Sequence, residues 1–299
     1  MNKQFQKIAL VGKHLESPEA EAMTALGQHL ISGGHEVLLP TTISGKIDLP
    51  GATSCAPESL AGTANLVIAI GGDGTMLNAA MLIAGSATPV LGINRGRLGF
   101  LADIGQADML SKVDDVLAGN YIEDKRLYLE VSLGSGPKAR TLNALNDVVI
   151  QRSDTGRMVD IETTIGDQYV NTHTGDGLIV ATATGSTAYA LACGGPIIQP
   201  SLDALLLVPV CPHTLSDRPI VISADSAISL QLARSPSGNV PIFCDGHLLG
   251  NMDEKQTLSI RASKNRLTLI HPADYDYYRM LRSKLRWGHS SRDNRRATD

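Results

Sequence analysis

Residues 65–77 read Asn-Leu-Val-Ile-Ala-Ile-Gly-Gly-Asp-Gly-Thr-Met-Leu. Leu66 to Ile70 is an unbroken apolar run of strand length, rich in β-branched residues. That is the pattern of a strand buried on both faces of a parallel sheet. Gly71, Gly72, Asp73 and Gly74 interrupt it, and a helical run begins near Thr75 with Met76, Leu77, Ala79, Ala80 and Met81. Glycines let the backbone turn sharply and approach a ligand closely. Amides at the start of the following helix carry partial positive charge and suit phosphate. Gly71, Gly72, Gly74 and Thr75 are therefore the candidate clamp for a phosphate chain. An aspartate in an anion site would repel the anion, so Asp73 reads as a proton acceptor, a metal holder or a helix cap. The chain contains no G-x-x-x-x-G-K-[ST], and this turn is not G-x-G-x-x-G. A Walker loop is excluded, and an ordinary dinucleotide fold with the pyrophosphate on the first βα turn is not supported.

Outward from this unit, strand and helix signals alternate. Ile8 to Gly12 is a short apolar strand, and Ser17-Pro18 starts a helix whose apolar residues repeat to the Gly33-Gly34 stop. Glu36 to Leu39 is a second strand, and residues 41–57 read as a loop followed by one short helix. Pro89 to Ile93 is another strand, and Ala107 to Leu117 a helix. This alternation predicts an open parallel α/β sheet. Arg95 and Arg97, in the loop Asn94 to Phe100, either reach a phosphate or are solvated.

Near residue 121 the pattern changes. Residues 127–133 and 142–150 are strand-like, residues 159–165 and 167–170 form a hairpin around Gly166, and short strands follow at 219–223, 227–232, 240–244, 257–261 and 265–271. One helix-like stretch, Thr187 to Cys193, interrupts an otherwise all-β second domain. Pro272 ends the last strand, and residues 274–286 read as a helix with Tyr277, Met280, Leu281 and Leu285 at helical spacing. Tyr275, Tyr277 and Tyr278 read as packing residues. The segment 288–299 is polar and charged, the composition of a disordered tail.

Composition narrows the function. The 299 residues are 43% hydrophobic, enough for a sizeable core, and the net charge of −4 does not favour nucleic acid or an anionic membrane. No apolar run reaches membrane-span length, and the first residues lack a signal-peptide core. Cys55, Cys193, Cys211 and Cys244 lack Cys-x-x-Cys spacing and read as reduced thiols of a cytosolic protein. His173, Asp176, His213 and His247 match no zinc spacing, so no protein-held metal is expected.

Three blocks carry a resemblance. They are Gly71-Gly72-Asp73-Gly74-Thr75, continued by Gly92-Ile93-Asn94 and Leu98-Gly99-Phe100-Leu101; Asn146-Asp147-Val148-Val149; and Asp176-Gly177-Leu178-Ile179-Val180-Ala181-Thr182-Ala183-Thr184-Gly185-Ser186-Thr187-Ala188-Tyr189. Together and in this order they resemble the NAD kinases, the ATP:NAD 2′-phosphotransferases of bacterial type. The likeness runs from about residue 5 to about 287. It implies a parallel α/β domain (1–121) carrying Gly-Gly-Asp-Gly, a β-rich NAD-binding and oligomerisation domain (122–271), and a C-terminal helix (272–287) returning to the first domain, with the tail 288–299 beyond. The implied reaction makes NADP from NAD and ATP in the cytoplasm. Mg²⁺ arrives with ATP, no nucleic acid or membrane partner is involved, and the chain forms a homodimer or homotetramer.

The resemblance also implies roles. Asp73 becomes proton acceptor for the adenosine 2′-hydroxyl, with Gly74 beside it. Asn146 and Asp147 meet ribose hydroxyls, although Asp147 stands where Glu is usual. Asp176 contacts the nicotinamide end, and Thr187, Ala188 and Tyr189, with Ala190, Leu191 and Ala192 following, lie at the adenine end. Ala183 replaces a common Pro and Ala192 a frequent Ser. Arg157, Thr174 and His247 match positions lining the substrate site, with Thr174 in place of a basic residue. Physical chemistry adds one constraint. Asn146 and Asp147 interrupt an apolar strand, and neighbours on a strand face opposite sides, so one of them meets a buried face. A strand end or bulge there would relieve the conflict. Two rivals share parts of the pattern: a lipid kinase using the same Gly-Gly-Asp-Gly, and a dinucleotide-binding sensor without catalysis.

Overall fold

The computed structural model of the chain describes residues 5–12, 17–96, 99–153, 157–234 and 239–286. Every residue of the strand Leu66–Gly71 is buried. It lies parallel between Lys7–Val11 and Val90–Asn94. Beyond Lys7–Val11 come Glu36–Pro40 and then Thr53–Cys55, also parallel. The end of the strand Thr257–Pro272 pairs in parallel with Val90–Asn94 on its other side, at Leu269 and Ile270. Helices Ser17–Ser32, Asp73–Leu82 and Met109–Leu117 belong to the same layer system. Ile8, Leu10, Met23, Leu26, Leu30, Leu66, Ile68, Ile70, Leu91 and Ile93 form its core. A strand with both faces covered has no reason to alternate apolar with polar residues, and Leu66 to Ile70 does not.

The chain divides into two compact units: one made of the chain to Asp124 together with the part from Thr268 onward, the other Lys125–Leu267. The C-terminal helix Tyr277–Leu285 belongs to the first unit. Its N-cap Asp276 accepts from the amides of Tyr278 and Arg279, and just before it Lys112 Nζ sits 2.9 Å from Asp274. Tyr275 stacks on His271 at 3.8 Å, and Tyr277 meets Tyr278 edge-on.

The second unit contains two sheets. One runs Gln168–Gly175, Val159–Ile165, Ile228–Arg234, Thr257–Pro272, Tyr121–Leu133 and Arg140–Ala144. The other is six-stranded and antiparallel throughout: Ile220–Ser223, Ala204–Val210, Gly177–Thr182, Asp147–Gln151, Val240–Cys244 and His247–Met252. Residues of both sheets share one core, including Leu127, Leu129, Val148, Ile150, Val180 and Leu207. The alternate residues Val149, Ile179, Ala181, Leu206 and Val208 feed a second core closed by Ala183, Ala190 and Ile198.

Several expectations change here. The helix after the glycine turn begins at Asp73, because the Gly72 carbonyl already accepts from the Thr75 and Met76 amides at 2.9 and 3.2 Å. The stretch 41–57 holds a short helix, Thr41–Ser44, and the edge strand Thr53–Cys55, formed by pairing with Glu36–Pro40. Residues 142–150 are not one strand. Arg140–Ala144 and Asp147–Gln151 lie in different sheets, broken at Leu145-Asn146. Residues 257–261 and 265–271 are one continuous strand. Gly177–Thr182, Ala204–Val210 and His247–Met252 are strands the sequence reading did not assign. The first two are buried on both faces and so lack the alternation that marks a half-buried strand. The tail 288–299 and Arg97 lie outside the described residues.

Candidate active site

In the first unit the strand Leu66–Gly71 delivers Asp73 to the first turn of its helix. Gly71 has φ +153°, and a Cβ there would come within 2.3 Å of the Thr75 hydroxyl. Cβ atoms at Gly72 and Gly74 would meet nothing within 4 Å, so backbone is accessible at both. Thr75 itself is buried. The Asp73 carboxylate accepts from the amides of Phe100 (3.0 Å), Leu101 (3.0 Å) and Ala102 (3.4 Å). It is therefore held at a fixed orientation by backbone 27 to 29 residues later. Arg95 does not reach out as an unengaged phosphate ligand: its Nη1 donates to Glu19 at 2.9 Å.

In the second unit the other two blocks meet. The Thr182 hydroxyl donates to the Leu145 carbonyl at 2.6 Å and accepts from the Gly185 amide at 3.1 Å. The Thr182 amide donates to the Asn146 carbonyl at 2.9 Å. Gly185 has no room for a side chain, since a Cβ would lie 2.1 Å from the Asn146 carbonyl oxygen. The run Thr184–Thr187 is a 3₁₀ turn, followed by the short helix Tyr189–Ala192. Thr187 and Ala188 are half-buried and Tyr189 is exposed. Leu191 is half-buried and Ala192 exposed, whereas the Ala190 side chain belongs to the hydrophobic core. Ala190 can offer a ligand backbone only.

Asp147 is buried, and the Tyr189 amide donates to its carboxylate. Burial first, and then the neighbouring Asp245 charge, push its pKa up to about 7; the Tyr189 bond opposes them. Asp245 was not a sequence candidate. Its backbone is left-handed (φ +48°), and its carboxylate accepts from Leu145 (2.6 Å), Asn146 (2.9 Å) and Asp147 (3.0 Å). These three bonds replace the ladder partners lost at the strand break. Burial still raises the Asp245 pKa against them. Asp-Gly at a hairpin tip is an available sequence signal, but it reads only as a turn.

Asp176 is paired with a second residue the sequence reading missed: Arg152 Nε donates to it at 2.6 Å. The Thr174 hydroxyl donates to Asp160 at 2.7 Å, and Arg157 and His247 are exposed. His173 is buried, with Nδ1 2.6 Å from Asp217. Arg126, also buried, donates from Nη1 to the Thr184 hydroxyl at 3.3 Å. Among the described residues no group of three His, Cys, Asp or Glu side chains is placed to hold a metal. Burial pushes the thiols of Cys55 and Cys193 up, and that of Cys244 up to about 12, so these stay protonated at neutral pH. A pocket of about 350 Å³ lies in the first unit, lined by Asp103, Lys112, Asp274, Tyr275, Arg279 and Ser283 among others. No candidate site residue lines it.

Comparison with known proteins gives this arrangement its family. Residues 42–121 match the ATP-NAD kinase N-terminal domain and residues 145–272 the ATP-NAD kinase C-terminal domain. A protein named NAD kinase from Nitrosospira multiformis is 44% identical over 289 residues, 96% of this chain and 97% of its own length. One from Photorhabdus laumondii is 39% identical over 289 residues, 96% of this chain and 98% of its own. The fold is similar to that of the yeast NADH kinase solved with NADH, at TM-score 0.88 and 22% identity, covering 95% of this chain and 88% of that one. It is also similar to the Archaeoglobus fulgidus NAD kinase solved with ATP, at TM-score 0.74 and 23% identity, covering 94% and 98%. With both domains matched in order and relatives alike over nearly the whole length, the chain belongs to the NAD kinase family, phosphotransferases that phosphorylate NAD with ATP.

Proposed function

We propose that Asp73 accepts the proton of the adenosine-ribose 2′-hydroxyl of NAD as that oxygen attacks the γ-phosphorus of ATP, releasing ADP and forming NADP. The observation that carries this is the Asp73 carboxylate itself, held at the first helix position by three amides. A carboxylate has about four lone-pair positions, so an acceptor site is left for a hydroxyl. General base help of this kind is worth about 10²–10⁴-fold. The accessible backbone at Gly72 and Gly74 supports a role for the turn in cradling the triphosphate.

The second unit supplies the NAD contacts. Asn146 and Asp147 take ribose hydroxyls, and Asp176, oriented by Arg152, takes the nicotinamide end. Thr187 to Ala192 present hydroxyl, backbone and the Tyr189 ring to the adenine end, with Arg157, Thr174 and His247 at the margin. NADH in the yeast relative and ATP in the archaeal one agree with these two ligand classes. A divalent ion, in this reading Mg²⁺, neutralises charge on the transferring phosphoryl group when ATP is bound. Asp73, its carboxylate already engaged by three amides, fits an ion held mainly by phosphate oxygens and water. The enzyme acts in the cytoplasm as a homo-oligomer in this reading. Among the described residues no helix is long and apolar enough to cross a membrane.

The test couples NADP formation to an NADP-specific dehydrogenase, with wild type and Asp73→Asn side by side. Asp73→Asn is expected to bind NAD and to lose at least about 10²-fold in kcat. Near-normal turnover would remove Asp73 from proton transfer. Tight NAD binding by wild type without turnover would favour the sensor instead.

A further inference from the structure

The block Gly92-Ile93-Asn94 with Gly99-Phe100-Leu101 supplies two of the three amides that meet Asp73, and its geometry is specific. Gly99 to Ala102 is a tight turn closed by the Gly99 amide donating to the Ala102 carbonyl at 3.0 Å. The three amides inside it, Phe100, Leu101 and Ala102, all point at the Asp73 carboxylate. Three neighbours hold the turn in place. Asn94 Nδ2 donates to the Ala102 carbonyl at 3.3 Å. Gly92 lets the turn press on its strand, since a Cβ there would lie 2.7 Å from the Ala102 Cα and 2.9 Å from the Leu101 oxygen. Lys284, on the C-terminal helix, places its ammonium 5.8 Å from the Phe100 ring centroid.

Gly99 sits where the structure leaves no room for a side chain. It is a glycine of space. A Cβ there would come 2.1 Å from Asp73 Oδ1 and 2.9 Å from its Cγ, against 3.2 Å from the Ala102 oxygen. The tightest obstacle is thus the end of a short side chain, which can rotate away while the backbone stays.

We propose that the turn Gly99–Ala102 is an amide clamp that sets the position of the Asp73 carboxylate, with Gly99 as a positioning residue for phosphoryl transfer. The inference rests on Asp73 being the proton acceptor. Three convergent amides keep the carboxylate from swinging, and the absent side chain at Gly99 leaves Oδ1 its place. A displacement of about 1 Å in a reacting group costs about 10²-fold in rate.

The experiment compares wild type, Gly99→Ala, Asp73→Asn and the double variant for kcat, NAD KM and thermal midpoint. Gly99→Ala should lose about 10- to 100-fold in kcat while NAD KM stays within about threefold, the pattern of an interaction used in the transition state. The double variant should be no slower than Asp73→Asn within about twofold, because residues acting through one group are not additive. Gly99→Ala with wild-type kcat beside an inactive Asp73→Asn overturns the clamp alone. A double variant slower by the product of the two losses also overturns it. An active Asp73→Asn overturns the proton-acceptor reading, and the clamp with it. If Gly99→Ala does not fold, Asp73→Ala/Gly99→Ala decides: the clamp requires folding to return once the colliding carboxylate is gone, and failure to return refutes it.

Discussion

Asp147 is an ionisable group placed where ionisation is costly. It is 6% exposed, and burial plus the Asp245 charge push its pKa from 3.8 to about 7. The sign follows from proton counting. Between pH 3.8 and about 7 the unfolded chain has lost this proton and the folded chain still holds it. Stability therefore falls as pH rises through that window and is flat above it. At about 1.36 kcal/mol per unit, the part of the window between pH 5 and about 7 corresponds to about 2–3 kcal/mol, an upper figure since relaxation lowers it. Asp147→Asn keeps an oxygen for the Tyr189 amide and has no charge to bury. Urea unfolding of both proteins at pH 5 and pH 8 reads the difference. The variant should gain on wild type by about 1–3 kcal/mol between the two pH values, while NAD KM rises if Asp147 is the ribose acceptor proposed above. An unchanged stability difference at pH 5 and pH 8 would refute the account of a buried, repelled carboxylate.

Asp245→Ala leaves the Leu145, Asn146 and Asp147 amides without their acceptor. It should lose about 2–4 kcal/mol in denaturant unfolding and raise NAD KM more than it lowers kcat. Gly185→Ala places a methyl 2.1 Å from the Asn146 carbonyl oxygen, which is backbone and cannot rotate away. An unfolding loss of about 1–3 kcal/mol is expected, with NAD affinity falling in a direct binding titration.

Much of the first unit is legible in the chain because its signals are local. Leu66 to Ile70, the glycine turn and the following helix are contiguous, and each strand there is an apolar run bounded by turn residues. The second unit is less legible. Gly177–Thr182 and Ala204–Val210 escaped because the segment 183–198 covers their second face, which removes the alternation that marks strands. The conflict at Asn146-Asp147 was visible as polar residues in an apolar strand. Its resolution was not, because the acceptor is Asp245, 98 to 100 residues away.

The sequence alone determined the βα unit with its Gly-Gly-Asp-Gly turn, the change from parallel α/β to β structure near residue 121, and the identity of Asp73 as the residue to watch. The first two follow from side-chain period and the conformational freedom of glycine, which act over a few residues, and Asp73 stands out through the resemblance of its motif. Only the tertiary structure decided what each carboxylate faces: three amides of a distant turn for Asp73, Asp245 and the Tyr189 amide for Asp147, and Arg152 for Asp176. Hydrogen-bond partners tens of residues apart leave no periodic trace in a chain, and they meet only when the sheets bring them together.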